Sequence, residues 1–185
     1  MRKPLFLLII LCITSVSSAQ SNYRGFINSG YSFGVGEYGF DQWNINTVHG
    51  VEFLHNSLFI GGGVGFGVST ENHRLKTYSM PVFADVRYTV GNLKVKPYID
   101  MKVGYSELID EEHDGGEYNS GGFYFSPSIG VSLPVVRKTS VHIGLGYTYN
   151  RAIYEFSYIP GDGKTESENK TFNAGGITLS VGVSF

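Results

Sequence analysis

From Ile177 to Phe185, apolar and small or polar side chains alternate without a break. Ile177, Leu179, Val181, Val183 and Phe185 stand against Thr178, Ser180, Gly182 and Ser184. A period of two marks a strand with two unlike faces. Similar segments recur along the chain and predict eight strands near 23–36, 43–54, 57–68, 77–90, 93–105, 121–133, 140–151 and 173–185. No segment carries the 3.6-residue stripe of a helix.

The connections between these strands fall into two kinds. His55-Asn56, Gly91-Asn92 and the segment from Pro134 to Thr139 are tight, whereas 37–42, 69–76, 106–120 and 155–172 are longer and polar. Gly91-Asn92 suits a two-residue hairpin, because both residue types tolerate positive φ. Short and long connections alternate strictly. With eight strands, that places all tight turns and both termini at one end and all long loops at the other.

The faces decide which side meets what. In the fourth strand Tyr78, Met80, Val82, Ala84, Val86, Tyr88 and Val90 oppose Ser79, Phe83, Asp85, Arg87 and Thr89. The fifth sets Leu93, Val95, Ile99, Met101, Val103 and Tyr105 against Lys94, Lys96, Tyr98, Asp100 and Lys102. The seventh sets Val141, Ile143, Leu145, Tyr147 and Tyr149 against His142, Gly144, Gly146, Thr148 and Asn150. An unpaired charge in hydrocarbon costs about 2–4 kcal/mol near the bilayer midplane, so the charged faces point inward and the apolar faces outward. Each segment also reaches the roughly 9–11 residues a tilted strand needs to cross a membrane. The expected fold is therefore all-β, an eight-stranded antiparallel up-and-down transmembrane β-barrel.

Inside such a barrel, charges must pair to offset desolvation. Arg24, Arg87 and Lys102 are the candidate partners of Glu52, Asp85 and Asp100, forming a charge network in the lumen. Eight strands leave an interior just wide enough for side chains to fill, which favours a closed lumen over a conducting pore. In the third strand Gly61, Gly63, Gly65 and Gly67 share the inward face and make room for long Arg or Tyr chains opposite. A phosphate-cradling loop does not fit them, since they sit mid-strand with no helix following. Aromatic residues gather at strand ends. Trp43, Phe66, Tyr78, Tyr105, Phe123, Tyr147 and Tyr149 lie toward the long loops; Phe53, Tyr88 and Phe185 lie toward the turns, as in the girdles of a membrane barrel. With Val51 and Phe53 outward, the period of two turns His49 toward lipid too, unless a bulge shifts the phase.

The N-terminus reads as an export leader over residues 1–19. Arg2 and Lys3 precede the apolar run Leu5 to Ile13, and Ser17-Ser18-Ala19 supplies a cleavage site before Gln20. Residues 20–185 then form one barrel domain. Cys12 lies in the leader behind Leu11, which a lipid-modification site would not tolerate, so the mature chain has no thiol chemistry. Losing two cations moves the formal charge from -2 to -4, with no basic patch, which argues against nucleic acid. No run after Ala19 is long and apolar enough for a membrane helix.

Candidate chemistry is sparse. The acidic segment with Glu107, Asp110, Glu111, Glu112, His113, Asp114 and Glu117 offers oxygen ligands for a divalent cation but lacks the spacing of a calcium loop. It reads as a solvated loop, with no metal or cofactor expected. Catalysis would need His, Ser and an acid converging near the outer rim. His73 with Glu71, and His113, lie in long loops with no serine tied to them, and His142 sits in the turn-side half of its strand. No catalytic residues are expected.

The mature chain resembles the small outer-membrane β-barrel proteins of Bacteroidetes, grouped as porin-family or outer-membrane-protein barrel domains. The likeness rests on Thr47-Val48-His49-Gly50, Phe59 to Gly65, Pro81 to Tyr88, Lys96-Pro97-Tyr98-Ile99-Asp100 and Val183-Ser184-Phe185. Pro81 to Tyr88 is the most specific. The resemblance implies an eight-stranded barrel in the outer membrane whose terminal Phe185 is read by the barrel-assembly machinery. It carries no catalytic residues. The expected role is structural or surface-interacting, with outer-membrane lipids and lipopolysaccharide as surroundings and an unspecified extracellular partner. A narrow pore for small solutes is the second expectation, and a lipid A-modifying enzyme the third.

Overall fold

A computed structural model describes residues 22–36, 39, 41–54, 56–69, 77–91, 94–110, 120–136, 138–158 and 166–185. For 110, 120, 152–158, 166–170 and 172 it describes the backbone alone. The leader read over residues 1–19 lies outside these, as do His73, Glu71 and most of the acidic segment.

The strands are β1 (Tyr23–Val35), β2 (Gln42–Phe53), β3 (Leu58–Ser69), β4 (Thr77–Thr89), β5 (Lys96–Asp110), β6 (Ser120–Val136), β7 (Thr139–Tyr158) and β8 (Glu166–Ser184). They form one closed barrel in chain order, every neighbouring pair antiparallel. Closure joins β1 to β8 from Phe26↔Ser184 to Val35↔Gly175, and Gly25 and Phe185 exchange backbone hydrogen bonds of 2.9 and 3.0 Å beyond that ladder. With no free sheet edge in the wall, each strand has a partner for its backbone groups on both sides.

The period of two holds around the wall. In β4 the residues from Ser79 to Arg87 alternate buried and exposed with perfect regularity, and Val82, Val86 and Tyr88 are outward. Ile99, Met101 and Val103 of β5, and Leu179, Val181 and Val183 of β8, are exposed in the same way. The apolar face lies outside and the polar face inside, the reverse of a soluble protein.

Strand ends differ from the expectation in two ways. First, β5 and β6 continue above the predicted rim to Leu108↔Ser120, and β7 and β8 to Tyr158↔Glu166. The long loops are therefore shorter than 106–120 and 155–172. Apolar alternation fades where a strand leaves an apolar environment, but the antiparallel ladder needs only its backbone partners. Second, the turns shift. The β6–β7 connection is tighter than Pro134–Thr139: Val136 pairs with Thr139, after an irregularity between Pro134 and Val136. The β2–β3 turn spans four residues, with Leu54 and Asn56 at positive φ of 50° and 68°.

The β4–β5 connection is the instructive correction. Gly91 does take a positive φ of 79°, but no two-residue hairpin forms. Thr89 pairs with Tyr98, so the ladder begins four residues later than a Gly91-Asn92 turn would set it. That turn would have placed Arg87 opposite Lys96. The observed register places Arg87 opposite Asp100 and Asp85 opposite Lys102. Like charges directly across a ladder repel and opposite charges attract. Pro97 contributes as well: it accepts from Val90 N at 2.8 Å but has no N–H to return.

Candidate functional site in the barrel interior

The register of β4 and β5 brings together four of the predicted lumen charges. Arg87 Nε donates to Asp100 Oδ1 at 2.9 Å, and Lys102 Nζ bonds Asp100 Oδ2. Lys102 Nζ also lies 3.7 Å from Asp85 Oδ2, and Ser128 Oγ donates to Asp100 Oδ2 at 3.4 Å. Asp85 is completely buried and Asp100 almost so. Two cations and two carboxylates alternate there, so the group is neutral as a whole. Leaving any one unpaired in this setting would cost several kcal/mol, roughly 3–5 by analogy with other buried pairs.

Arg87 also closes the space. Its guanidinium carbon lies 4.2 Å from the ring centre of Phe26 and 4.4 Å from that of Tyr98. Phe26 is on β1 and Tyr98 on β5, opposite each other in a ring of eight strands. Stacked between two rings, a desolvated guanidinium gains up to about 2 kcal/mol. Phe26 meets Phe59 edge-on at 4.8 Å and His142 at 5.3 Å, and Tyr98 meets His142 at 6.0 Å. Phe26, Val48, Phe59, Phe83 and Tyr124 form a buried apolar cluster. The interior is thus not purely polar: its middle is an apolar plug that holds a stacked arginine.

Two of the inward glycines of β3, Gly61 and Gly63, serve this plug, though not by accommodating Arg or Tyr, while Gly65 and Gly67 make room for Asn46, Pro81, Gln42 and Ser79. A methyl group on Gly61 would lie 2.6 Å from the Phe59 ring, and one on Gly63 2.7 Å from Phe83. Tyr98 instead fills the space over Gly130 and Gly144. The missing side chains leave the room that these rings fill.

Arg24 and Glu52 form a separate group near the turns, with Nε and Oε1 3.5 Å apart and both side chains partly exposed. Arg24 Nη2 donates to Ser184 Oγ at 3.0 Å and Ser140 Oγ at 3.3 Å. The six predicted charges therefore do not make one network but two. A cavity of about 150 Å³ adjoins the second group, lined by Arg24, Glu52, Lys96, Ser132, Ser140 and His142, and reaching Arg87 and Phe26. A smaller space of about 40 Å³ lies on the loop side, and Arg87 lines it too. Arg87 is thus the partition between them.

Above the partition runs a polar ladder absent from the expectation. Ser126 Oγ, Thr148 Oγ1, Thr178 Oγ1 and Ser32 Oγ follow one another at 3.2, 2.8 and 2.7 Å, and Asn44 Nδ2 donates to Ser32 at 3.3 Å. The chain of bonds crosses β6, β7, β8, β1 and β2. Inward Ser and Thr at period two were the signal that could have found it.

On the outer wall, Phe185 covers the notch above Gly25, where an added methyl would lie 2.7 Å from its ring. His49 faces outward with no bulge in its strand. Its Nδ1 is 2.6 Å from the Tyr23 hydroxyl and its Nε2 2.9 Å from Thr47 Oγ1. Hydroxyls both donate and accept, so a neutral ring is satisfied in either tautomer. Tyr23 stacks on it at 6.1 Å and Phe185 meets it edge-on at 6.5 Å.

No hydrogen bond joins His142 to any serine among the described residues; both ring nitrogens are without a partner there. Among the described residues no group of His, Cys, Asp and Glu could hold a metal ion. His113 and the residues from Glu111 to Glu117 lie outside them.

No protein-family model matches the sequence, and no curated protein matches it either. Solved structures do. Neisserial surface protein A is 15% identical, with a TM-score of 0.66 over 88% of this chain and 95% of that one. Outer membrane protein AlkL, solved in lipid bilayers, is 11% identical, with a TM-score of 0.54 over 89% of each chain. At such identities the likeness is one of fold. This chain shares the closed eight-stranded barrel of small outer-membrane proteins.

Proposed function

We propose that this protein is an integral outer-membrane β-barrel with a structural or surface-interaction role, non-catalytic and with a closed lumen. The observation that carries this reading is Arg87, stacked between Phe26 and Tyr98 across the middle of the barrel and bonded to Asp100. A path for solutes would have to break a buried ion pair and unstack two rings. The apolar outer wall supports placement in lipid. In this reading residues 1–19 direct export, the small Bacteroidetes-type outer-membrane barrels are the kin, and the assembly machinery reads Phe185. Lipid and lipopolysaccharide surround the wall, and the long loops present the surface to an extracellular partner.

Expression with membrane fractionation tests the location: the folded chain is expected in the outer membrane as a heat-modifiable band. Recovery as a soluble periplasmic protein would overturn it. In planar bilayers the purified barrel is expected to stay silent. Steady unitary currents would replace the closed-lumen reading with that of a narrow pore. The lipid A acylation profile of the expressing cells is expected to stay unchanged, and a shifted profile would establish an enzyme instead.

A further inference from the structure

We propose that the turn-side cavity is a binding site for a small oxyanion of the phosphate kind. Arg24 and Lys96 line it against a single carboxylate, Glu52, which leaves one positive charge in excess beside Arg87, whose own charge Asp100 balances. Arg87 is committed to Asp100 through Nε, and its Nη1 has no hydrogen-bond partner among the described residues. His142 also lines the cavity, is only 4% exposed, and has neither ring nitrogen partnered among those residues. Buried donors without partners are rare and cost roughly 1–3 kcal/mol each, so such groups mark a place where a ligand or ordered water belongs.

Charge and size separate these two occupants. The cavity measures about 150 Å³. One water requires only about 10–15 Å³ on this scale, so a tetrahedral oxyanion fits with part of its hydration shell. Water alone would leave an excess of positive charge in a confined space. An oxyanion accepts from guanidinium, ammonium and imidazole N–H together, and charge-assisted bonds of this kind are about twice as strong as neutral ones. Ser132 and Ser140 hydroxyls lie on the same wall. Asn56, Pro134 and Val136, which also line the cavity, are exposed at the turn end, so the mouth opens there. A free phosphate reaches it from solution and a phospholipid headgroup from the adjacent leaflet; the two offer the same chemistry.

The test is calorimetric titration of inorganic phosphate into the full mature barrel, folded in micelles of an uncharged detergent. Chloride at equal ionic strength is the reference. One-to-one binding is expected, weakened by about tenfold in Lys96→Gln and in Arg24→Gln. Lys94→Gln, an exposed cation outside the lining, is expected to bind as the parent does. Lys96 is only half-buried at the start of its strand, so its variant remains informative if Arg24→Gln fails to fold. Adding phosphatidylglycerol to the micelles distinguishes the sources: loss of the phosphate heat assigns the site to a headgroup, and an unchanged isotherm assigns it to the free anion. Heats no larger than those of chloride in both micelles would overturn the proposal and leave a water-filled cavity. Equal weakening in Lys94→Gln would overturn it too, in favour of diffuse attraction.

Discussion

Two groups of charges face the same lumen and differ in almost everything but composition. Asp85, Arg87, Asp100 and Lys102 are buried, opposite one another across β4 and β5, and packed against an apolar plug. Arg24 and Glu52 are partly exposed, 3.5 Å apart, and border a cavity of about 150 Å³. The first group balances its charges within itself. The second leaves cationic capacity over, next to groups that lack partners. Depth in the barrel, and not residue type, separates a structural ion cluster from one with capacity to bind.

Substitution should expose this contrast. The largest effect is expected at the middle. Arg87→Ala strands two carboxylates on one cation and should destabilise the folded barrel by about 3–5 kcal/mol, read as a shift of the urea midpoint in lipid or detergent. Pairing Arg87→Met with Asp100→Leu removes one complete pair and leaves Asp85 opposite Lys102. The double variant should recover most of that loss, because no charge of the cluster is then left without its partner. If the double variant is no more stable than Arg87→Ala, the cluster is not self-neutralising and the contrast fails.

A smaller effect is expected from packing. Gly63→Ala drives a methyl toward Phe83 and should cost about 1–3 kcal/mol, whereas Gly62→Ala, whose nearest atom would be 3.8 Å away on the outer face, should cost far less. Equal costs at the two positions would show that the middle is looser than the described contacts. The smallest effect is expected at the mouth. Arg24→Gln should cost less than Arg87→Ala, because the Arg24–Glu52 pair keeps some access to solvent. An equilibrium unfolding loss as large as that of Arg87→Ala would erase the distinction between the two groups.

Much of this was legible in the chain. The strand count, the inward face of every strand discussed and the identity of the buried charges follow from a period of two, because a wall with lipid-like and polar sides leaves each residue one of two directions. Arg87 and Asp100 could be named as members of one inward set of charges for that reason, though not as a pair. What escaped is whatever depends on alignment between strands or on distance across the lumen. Gly91-Asn92 is a sound local signal for a hairpin, yet the ladder obeys the charges of Asp85, Arg87, Asp100 and Lys102. The upper reaches of β7 and β8 escaped because alternation of apolar residues reports environment, not pairing. Phe26 against Arg87 joins residues 61 positions apart, on β1 and β4, and no local pattern records it. Periodicity leaves His49 between an outward position and a bulge; it sits outward, and its tolerance there depends on Tyr23 and Thr47, which no local pattern ties to it.

The chain holds a single tryptophan, Trp43, and it sits on the outer face of β2 near the loop-side rim. Excited beyond the absorption of the tyrosines, the barrel therefore carries one indole fluorophore at one height on its wall. Its emission reports a single depth rather than an average, so brominated lipids of known position would measure how far the rim stands above the bilayer centre.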